Sequence, residues 1–454
     1  MDDIIVALAS AWGESGIAIV RLSGKGSTEL ADHIFRSKCP LAQSPPRYLT
    51  LGKLIGSENM PFDEVLAVRF EEGKSYTGEE SVEIYCHGGT IPAQKCIEEL
   101  CSFGARIALP GEYTRRAYTN KRIDLSQAES VLSVIKAQSD EALLAANRTL
   151  QGEFSNKIRI FFEKITELAA ILEVDLDFPE EDTGMISLDE TLSSLNRLIE
   201  TARELEENCR SGLVLREGIK AAIIGKPNVG KSSLLNALLQ KQRAIVTPIP
   251  GTTRDSIEET VIYRGIPIHF IDTAGIRATE DQVESIGVER SKNSIEEADI
   301  IIWVLDSSEE FTEEDRVLWD LIKEKNHVIA LNKSDLMPYD NKELLDDITS
   351  KSKVISISAL SSEGIENLKG LIVEDFAKFS SFKGSYSVTS RQLSGITATI
   401  FSLVETKNAL TSGIGDDIAL TCIADARSSL AQVIGIDPTE DLVERIFGDF
   451  CVGK

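Results

Sequence analysis

The sequence has no uninterrupted run of about 18 apolar residues, the least that crosses a bilayer as a helix, so no membrane span is expected. Its start, Met1-Asp2-Asp3, places two acids where an export signal would be basic, and a cytoplasmic protein is expected. There is no C-x-x-C pair. The seven cysteines (Cys39, Cys86, Cys96, Cys101, Cys209, Cys422 and Cys451) are odd in number and scattered. That argues against a disulfide framework and a zinc site, and leaves most of them as small buried apolar residues. Positive charge is scarce: 48 Lys+Arg against 73 Asp+Glu give a net charge of −25. Such a balance opposes non-specific binding to nucleic acid, so a polynucleotide substrate needs a local basic patch or a second protein. Most of the acids read as solvated helix faces. Repeats and low-complexity tracts are missing too. What is there is a chain of 454 residues, 42% hydrophobic, enough for roughly three globular domains.

The stretch Gly225-Lys226-Pro227-Asn228-Val229-Gly230-Lys231-Ser232-Ser233 matches G-x-x-x-x-G-K-[ST] without a mismatch. An apolar run of strand type (219–224) precedes it and a helical pattern (233–240) follows, the context in which backbone N–H groups and a helix N-terminus converge on phosphate. Glycines let the backbone curl around the phosphates. Lys231 places a point charge on the β and γ oxygens, and the Ser232 hydroxyl is suited to Mg²⁺.

Two further apolar runs end in chemistry. Residues 268–271 lead into Asp272-Thr273-Ala274-Gly275, where the carboxylate can hold the Mg²⁺ shell and the Gly275 N–H can meet a γ-phosphate. Residues 328–331 lead into Asn332-Lys333-Ser334-Asp335. Asp335 can accept two hydrogen bonds from guanine N1–H and N2–H₂, and Lys333 can lie along the ring. Adenine offers no such donor pair, so a buried Asp335 would be left unpaired against ATP. Ser358-Ala359-Leu360 fits the loop that backs guanine O6. The nucleotide is therefore GTP or GDP rather than ATP. A first switch, Pro250-Gly251-Thr252-Thr253-Arg254-Asp255, supplies Thr253 as a second Mg²⁺ ligand, and Thr247, Pro248 and Ile249 precede it in the nucleotide-binding stretch. After D-x-x-G, signalling GTPases carry a glutamine that orients water. Here the residue is Ile276, and Glu284 further along is an acid able to do that work, or else an exposed helix carboxylate.

The expected fold is multidomain, α/β and all-α. Residues 1–118 alternate strand-like runs (16–21, 65–70) with helical stretches near 26–36 and 90–102, an α/β domain. Leu143, Leu150, Phe154, Ile158, Phe161, Ile165, Leu168 and Leu172 then recur at spacings of 3, 4 and 7, one long amphipathic helix. The periodicity resumes late in the chain with Leu393, Ile396, Ile400 and Leu403, and again with Ala419, Ile423, Ala426, Leu430 and Val433. A Ras-like P-loop GTPase module, 214–377, is thus expected as an insertion in a central helical domain formed by 119–213 and 378–454. The chain closes on a short tail containing Cys451.

The chain as a whole resembles the MnmE (TrmE) family of tRNA modification GTPases. Beyond the nucleotide motifs the resemblance lies in 3–9, Ile19-Val20-Arg21-Leu22-Ser23-Gly24, Ser75-Tyr76-Thr77-Gly78-Glu79, 86–89, Pro110-Gly111-Glu112, 122–129 and Phe450-Cys451-Val452-Gly453-Lys454. It implies a homodimer built by N-terminal folate-binding domains, and a flavoprotein partner, MnmG (GidA), forming a heterotetramer. Together they place an aminomethyl or carboxymethylaminomethyl group on carbon 5 of the wobble uridine of certain tRNAs. The methylene carbon comes from 5,10-methylene-tetrahydrofolate, for which 5-formyl-tetrahydrofolate is an analogue. By position, Asn228, Thr247, Ile249 and Thr252 match a potassium (K⁺) site, Glu284 the water-orienting acid, and Arg21, Glu83, Arg122 and Lys454 the folate contacts. Cys451 lies near the one-carbon unit, where a thiol would take part in the chemistry. Arg122 departs from the lysine common in the family, keeping the charge but not the geometry. The basic stretch Arg115-Arg116 with Lys121-Arg122 reads as a contact for tRNA phosphate or a folate glutamate tail, or as ordinary surface charge. A regulatory or ribosome-assembly GTPase without modification chemistry is the competing reading.

Overall fold

A computed structural model describes residues 3–57, 59–177, 187–239, 259–271, 294–339, 348, 352–376, 382–412, 416–436, 439–448 and 450–453. The chain divides into two compact units: Met1–Leu132 with Leu150–Ile199 and Ser394–Lys454, and Ser133–Thr149 with Glu200–Leu393.

The first unit begins with a seven-stranded sheet. Strands β1 (Ile5–Leu8), β2 (Ile17–Ser23), β3 (Phe35–Arg36), β4 (Thr50–Ile55), β5 (Pro61–Phe70), β6 (Ser81–His87) and β7 (Arg106–Ile107) lie in the order β3-β4-β5-β6-β2-β1-β7. Only β1 and β7 pair in parallel. Alternation sorts the side chains by face. Val6, Leu8, Val20, Leu22, Val82 and Ile84 share one core with helices α1 (Ser27–Ile34) and α2 (Thr90–Ser102). Ile5 and Ala7 meet Ala108 and Tyr113 on the other side, Tyr113 standing on α3 (Glu112–Thr119).

The expected long helix is two, α5 (Asp140–Leu150) and α6 (Glu153–Asp177), after α4 (Leu125–Lys136). Gly152, at φ 84°, occupies the left-handed region between them and ends the first. Within α6 the stripe from Phe154 to Leu172 is buried as its spacing demands, and α12 (Asp416–Ile434) packs along it. Helices α11 (Ser390–Ser412) and α12 follow the expected late periodicity, and α13 (Glu440–Gly448) comes after them.

The second unit is built on a six-stranded sheet. Its strands are β8 (Ile219–Ile224), β9 (Glu259–Tyr263), β10 (Ile266–Ile271), β11 (Ile300–Asp306), β12 (His327–Asn332) and β13 (Lys353–Ser356), in the order β13-β12-β11-β8-β10-β9. All neighbours are parallel except β9 with β10. The strands read as continuous apolar runs because both faces are covered. One core holds Leu234, Leu235 and Leu238 of α8 (Lys231–Leu239) with Ile365, Leu368 and Ile372 of α10 (Ile365–Glu374). The other gathers Ile301, Trp303 and Ile329 with Ile322 of α9 (Glu313–Ile322). The first of these cores also takes in Ala142 and Ala145 of α5, and Leu215 of α7 (Leu188–Glu217), from the stretch expected in the helical domain. The Ser139 hydroxyl donates to the Gly265 carbonyl at 2.6 Å, and the Ser387 N–H donates to the Ala145 carbonyl at 3.3 Å.

None of the seven cysteines forms a disulfide, and only Cys86, Cys96 and Cys209 of them are buried, so the expectation that most are core residues fails for the rest. Cys39, Cys101 and Cys422 sit at the edges of their packing, and Cys451 is exposed. Among the described residues no helix is long and apolar enough to cross a membrane.

Candidate functional site

The nucleotide motifs that lie among the described residues converge at the carboxyl ends of the second unit's parallel strands, where open α/β sheets bind ligands. The phosphate loop follows β8, and Asp272 directly follows the last residue of β10. Asn332 ends β12, with Lys333, Ser334 and Asp335 beyond it, and Ser358-Ala359-Leu360 comes shortly after β13.

The loop is shaped for close approach. Asn228 stands at φ 64°, Gly225 at φ 152° and Gly230 at φ 96°. A Cβ on Gly225 would meet the Val304 carbonyl oxygen at 2.4 Å, and one on Gly230 would meet Asn332 Nδ2 at 2.3 Å. Nothing larger than glycine fits at either position. Asn332, buried, ties two motifs together: its Nδ2 donates to the Val229 carbonyl at 2.8 Å, and its Oδ1 accepts the Ala359 N–H at 3.0 Å. Lys231 Nζ donates to the carbonyls of Gly225 (2.8 Å) and Lys226 (2.6 Å), and burial draws its ammonium below the usual lysine range. Ser232 and Ser233 begin α8 on its exposed side.

On the base side, the Ser358 hydroxyl donates to Asp335 Oδ1 at 2.6 Å, and the Ser334 N–H donates to the Ile357 carbonyl at 3.1 Å. Asp335 is exposed, not buried as the sequence suggested. The cost of a stranded buried charge, on which the sequence reading set guanine against adenine, does not apply to an exposed Asp335. Leu360 is also exposed. Lys333, at φ 60°, forms an ion pair with the nearly buried Asp306. Burial pushes the Asp306 carboxyl up, but Lys333 and the Ser308 hydroxyl and N–H outweigh it and hold it below the usual aspartate range. Thr247, Pro248, Ile249, Pro250, Gly251, Thr252, Thr253, Asp272, Thr273, Ala274, Gly275 and Glu284 lie outside the described residues, as does Lys454.

In the first unit, Arg21 and Glu83 face each other across β2 and β6, on the side of the sheet away from α1 and α2. Their side chains pair at 2.8 Å with 20% and 16% of their surface exposed. The Arg21 guanidinium lies 5.8 Å from the ring centres of both Tyr76 and Tyr113, a cation–π setting, and the Tyr113 hydroxyl donates to the Arg21 carbonyl at 2.6 Å. Tyr85 donates to Glu83 at 2.9 Å; burial first, then that hydrogen bond, push its phenol up to about 12. Arg122 is exposed and runs along Gly78, in the loop that carries Tyr76; a Cβ there would come within 3.0 Å of Arg122 Cγ. Tyr76 and Tyr113 were not singled out from the sequence, although both lie in or next to the stretches that carry the family resemblance.

The reading of Arg115-Arg116 as a basic contact is corrected for Arg116. That side chain is 1% exposed and bonds to Asp3 (2.8 Å), Glu79 (3.1 Å) and Glu112 (3.1 Å), which occupies both terminal nitrogens of a guanidinium where water is excluded and leaves Nε with no partner among the described residues. Arg106 closes the network on Glu112 at 2.7 Å.

The C-terminal tail is held by the same unit. Phe447 and Phe450 are buried with Ala128. Gly111 approaches so closely that a Cβ would sit 2.3 Å from the Phe447 carbonyl oxygen, and its N–H donates to the Cys451 carbonyl at 3.4 Å. Val452 forms an antiparallel bridge with Pro110. Gly453, at φ 97°, lies against the end of β1, where a Cβ would be 2.2 Å from the Leu8 carbonyl oxygen. The neighbouring β1 residue, Ala7, pairs with Arg21.

The chain is similar over its whole length to known proteins. Residues 4–122 match the family described as the GTP-binding protein TrmE N-terminus, and residues 125–451 match the MnmE helical domain. The chain is 42% identical to the tRNA modification GTPase MnmE of Clostridioides difficile and 40% identical to that of Aquifex aeolicus, over 100% of each chain. A solved structure of Aquifex aeolicus Era bound to GDP and AlF4⁻ is 31% identical, covering 40% of this chain and 66% of that one with a TM-score of 0.28. The full-length sequence matches decide the assignment: the chain belongs to the MnmE family of tRNA modification GTPases.

Proposed function

We propose that this chain is a potassium-stimulated GTPase that works as a homodimer with the flavoprotein MnmG. The pair would add an aminomethyl or carboxymethylaminomethyl group to carbon 5 of the wobble uridine of certain tRNAs in the cytoplasm. The observation that carries the reading is the docking of Cys451-Val452-Gly453 against Pro110 and Leu8, one residue along β1 from the partner of Arg21. A GTPase that only switched would have no use for a C-terminal, cysteine-bearing tail docked on the strand that pairs with the one carrying Arg21.

In this reading Arg21, Glu83, Arg122 and Lys454 bind a tetrahydrofolate, which supplies the one-carbon unit when bound. Arg21 is already oriented by Tyr76, Tyr113 and Glu83, so little side-chain entropy remains to be lost on binding. Cys451, exposed at the tail's surface, is free to meet the reacting carbon. On the nucleotide side, Lys231 neutralises phosphate charge, Ser232 and Thr253 hold Mg²⁺, and Asp335 selects guanine. Asn228 with Thr247, Ile249 and Thr252 holds K⁺, and Glu284 orients the attacking water. The local glycine geometry and the positive φ of Asn228 support a cradle of main-chain groups around phosphate.

The test is mass spectrometry of wobble nucleosides in cells lacking the gene, complemented with the wild-type chain or with Cys451→Ser. Wild type should restore the modified uridine, and Cys451→Ser should not, while purified Cys451→Ser protein still hydrolyses GTP. Unchanged nucleosides in the deletion strain would favour a regulatory GTPase instead.

A further inference from the structure

The motif leaves the second residue of the phosphate loop free, yet Lys226 is firmly placed. Its Nζ lies 2.6 Å from Asp315 Oδ2 and donates to Thr312 Oγ1 at 3.1 Å, at the start of α9. The Asp315 side chain is 1% exposed, and the same Oδ2 accepts the Thr312 N–H at 2.9 Å, one arm of a capping box whose other arm runs from the Asp315 N–H to the Thr312 side chain, and also the Thr312 hydroxyl at 3.1 Å. Its other oxygen, Oδ1, is buried with no hydrogen-bond partner among the described residues. A carboxylate so far out of water is costly unless a cation compensates it, and Lys226 is the cation in contact. The main chain of the same residue is engaged as well, since the Lys226 and Gly225 carbonyls both accept from Lys231 Nζ.

We propose that the Lys226–Asp315 pair is a clamp that fixes the phosphate loop to α9, and that Asp315 is a positioning residue for nucleotide binding. The side chain of Lys226 sets where its own carbonyl lies, and that carbonyl sets where Lys231 rests. Without the pair, the loop must be ordered by the nucleotide itself, and affinity falls by the free energy of that ordering. The clamp also neutralises a negative charge beside a site that must receive polyphosphate.

The experiment is a double-mutant cycle on the full-length protein, read as the Kd for a fluorescent mant-GDP, with melting curves to establish folding. Lys226→Met and Asp315→Asn should each raise Kd about tenfold, and the double variant should be no weaker than about the worse single variant. Lys226→Arg, which keeps the charge, should restore binding to within about threefold of wild type. The proposal is overturned if a folded Lys226→Met protein binds mant-GDP as wild type does. Losses that multiply in the double variant would also overturn it. If Asp315→Asn does not fold, the comparison of Lys226→Met with Lys226→Arg decides: equal Kd values in the two refute the clamp.

Discussion

Replacing Gly453 by alanine perturbs the tail at its most confined point. The residue sits at φ 97°, where a non-glycine residue is strained by about 1–3 kcal/mol. The new methyl would also be placed 2.2 Å from the Leu8 carbonyl oxygen, a backbone atom fixed in the pairing of β1 with β2. Against this stand the bonds that hold residues 451–453: the long Gly111 N–H to Cys451 contact and the bridge to Pro110, at about 0.5–1.5 kcal/mol each. Phe450 lies before the strained point and its burial, about 1.5–3 kcal/mol, keeps the end of α13 in place. The expected outcome is therefore a local release of the chain from Cys451 to its end, with the rest of the fold intact. Carboxypeptidase should trim Gly453→Ala protein rapidly to near Phe450 while the wild type resists. GTP hydrolysis should persist, and modification of wobble uridine in a reconstituted reaction with the flavoprotein should fall at least tenfold, the scale set by a net change near 1.4 kcal/mol. Unaltered protease resistance together with full modification would refute the reasoning.

Turnover of GTP should be much faster in K⁺ than in Na⁺ at equal ionic strength, because among the described residues no arginine is an evident source of transition-state charge and Asn228 is proposed to hold a monovalent ion; equal steady-state rates in both salts, at saturating GTP, contradict this. Glu284→Ala should leave GTP affinity nearly unchanged and lower kcat by about 10²-fold, measured by single-turnover hydrolysis, whereas a wild-type kcat would make Glu284 ordinary surface charge. In the Arg116 network, burial raises the Glu112 carboxyl but the bonds from Arg106, the Leu109 N–H and Arg116 outweigh it, and the net direction is below its ordinary value of 4.5. A depressed folded pKa gives stability that is full above the unfolded value and lost as pH falls through the folded one. Glu112→Gln should thus lower the urea midpoint at about pH 7 and differ little from wild type at about pH 3; an equal difference at both would show that charge is not the cause.

The motifs that end strands were legible because they are local: a loop such as 225–233 must do its work within a few residues of β8, whatever the rest of the chain does. Pairings between distant segments left no such trace. Arg116 looked like surface charge beside Arg115, since its partners Asp3 and Glu79 are far away in sequence and only Glu112, one helical turn before it, hinted at burial. The break at Gly152 was hidden because the apolar spacing runs on across it, although Leu143 before the glycine is exposed and α5 buries Ala142 and Ala145 instead. Asp335 shows the opposite error, a carboxylate assigned to the interior from the chemistry it must perform although its partner Ser358 orients it at the surface. The tail was readable only as something that needed a dock. Which residues form that dock depends on Gly111 and Gly453, whose missing side chains are visible only against the carbonyls they approach.

The packing of α5 beneath the six-stranded sheet changes what a recombinant fragment of this protein would be. A piece begun near residue 214 would contain every nucleotide motif and yet lack Ala142 and Ala145, leaving an open apolar seam where the intact chain has a closed core. The Gly265 carbonyl would lose its hydroxyl donor, on the turn that joins β9 to β10 and so lies between the first switch and Asp272. Rates and affinities measured on that piece would describe a hairpin set free, and crystals of it would tend to bury the seam against a neighbouring copy. Fusing residues 133–149 back onto the fragment by a short linker would give a stand-in that restores the closed core and the Ser139 donor to Gly265.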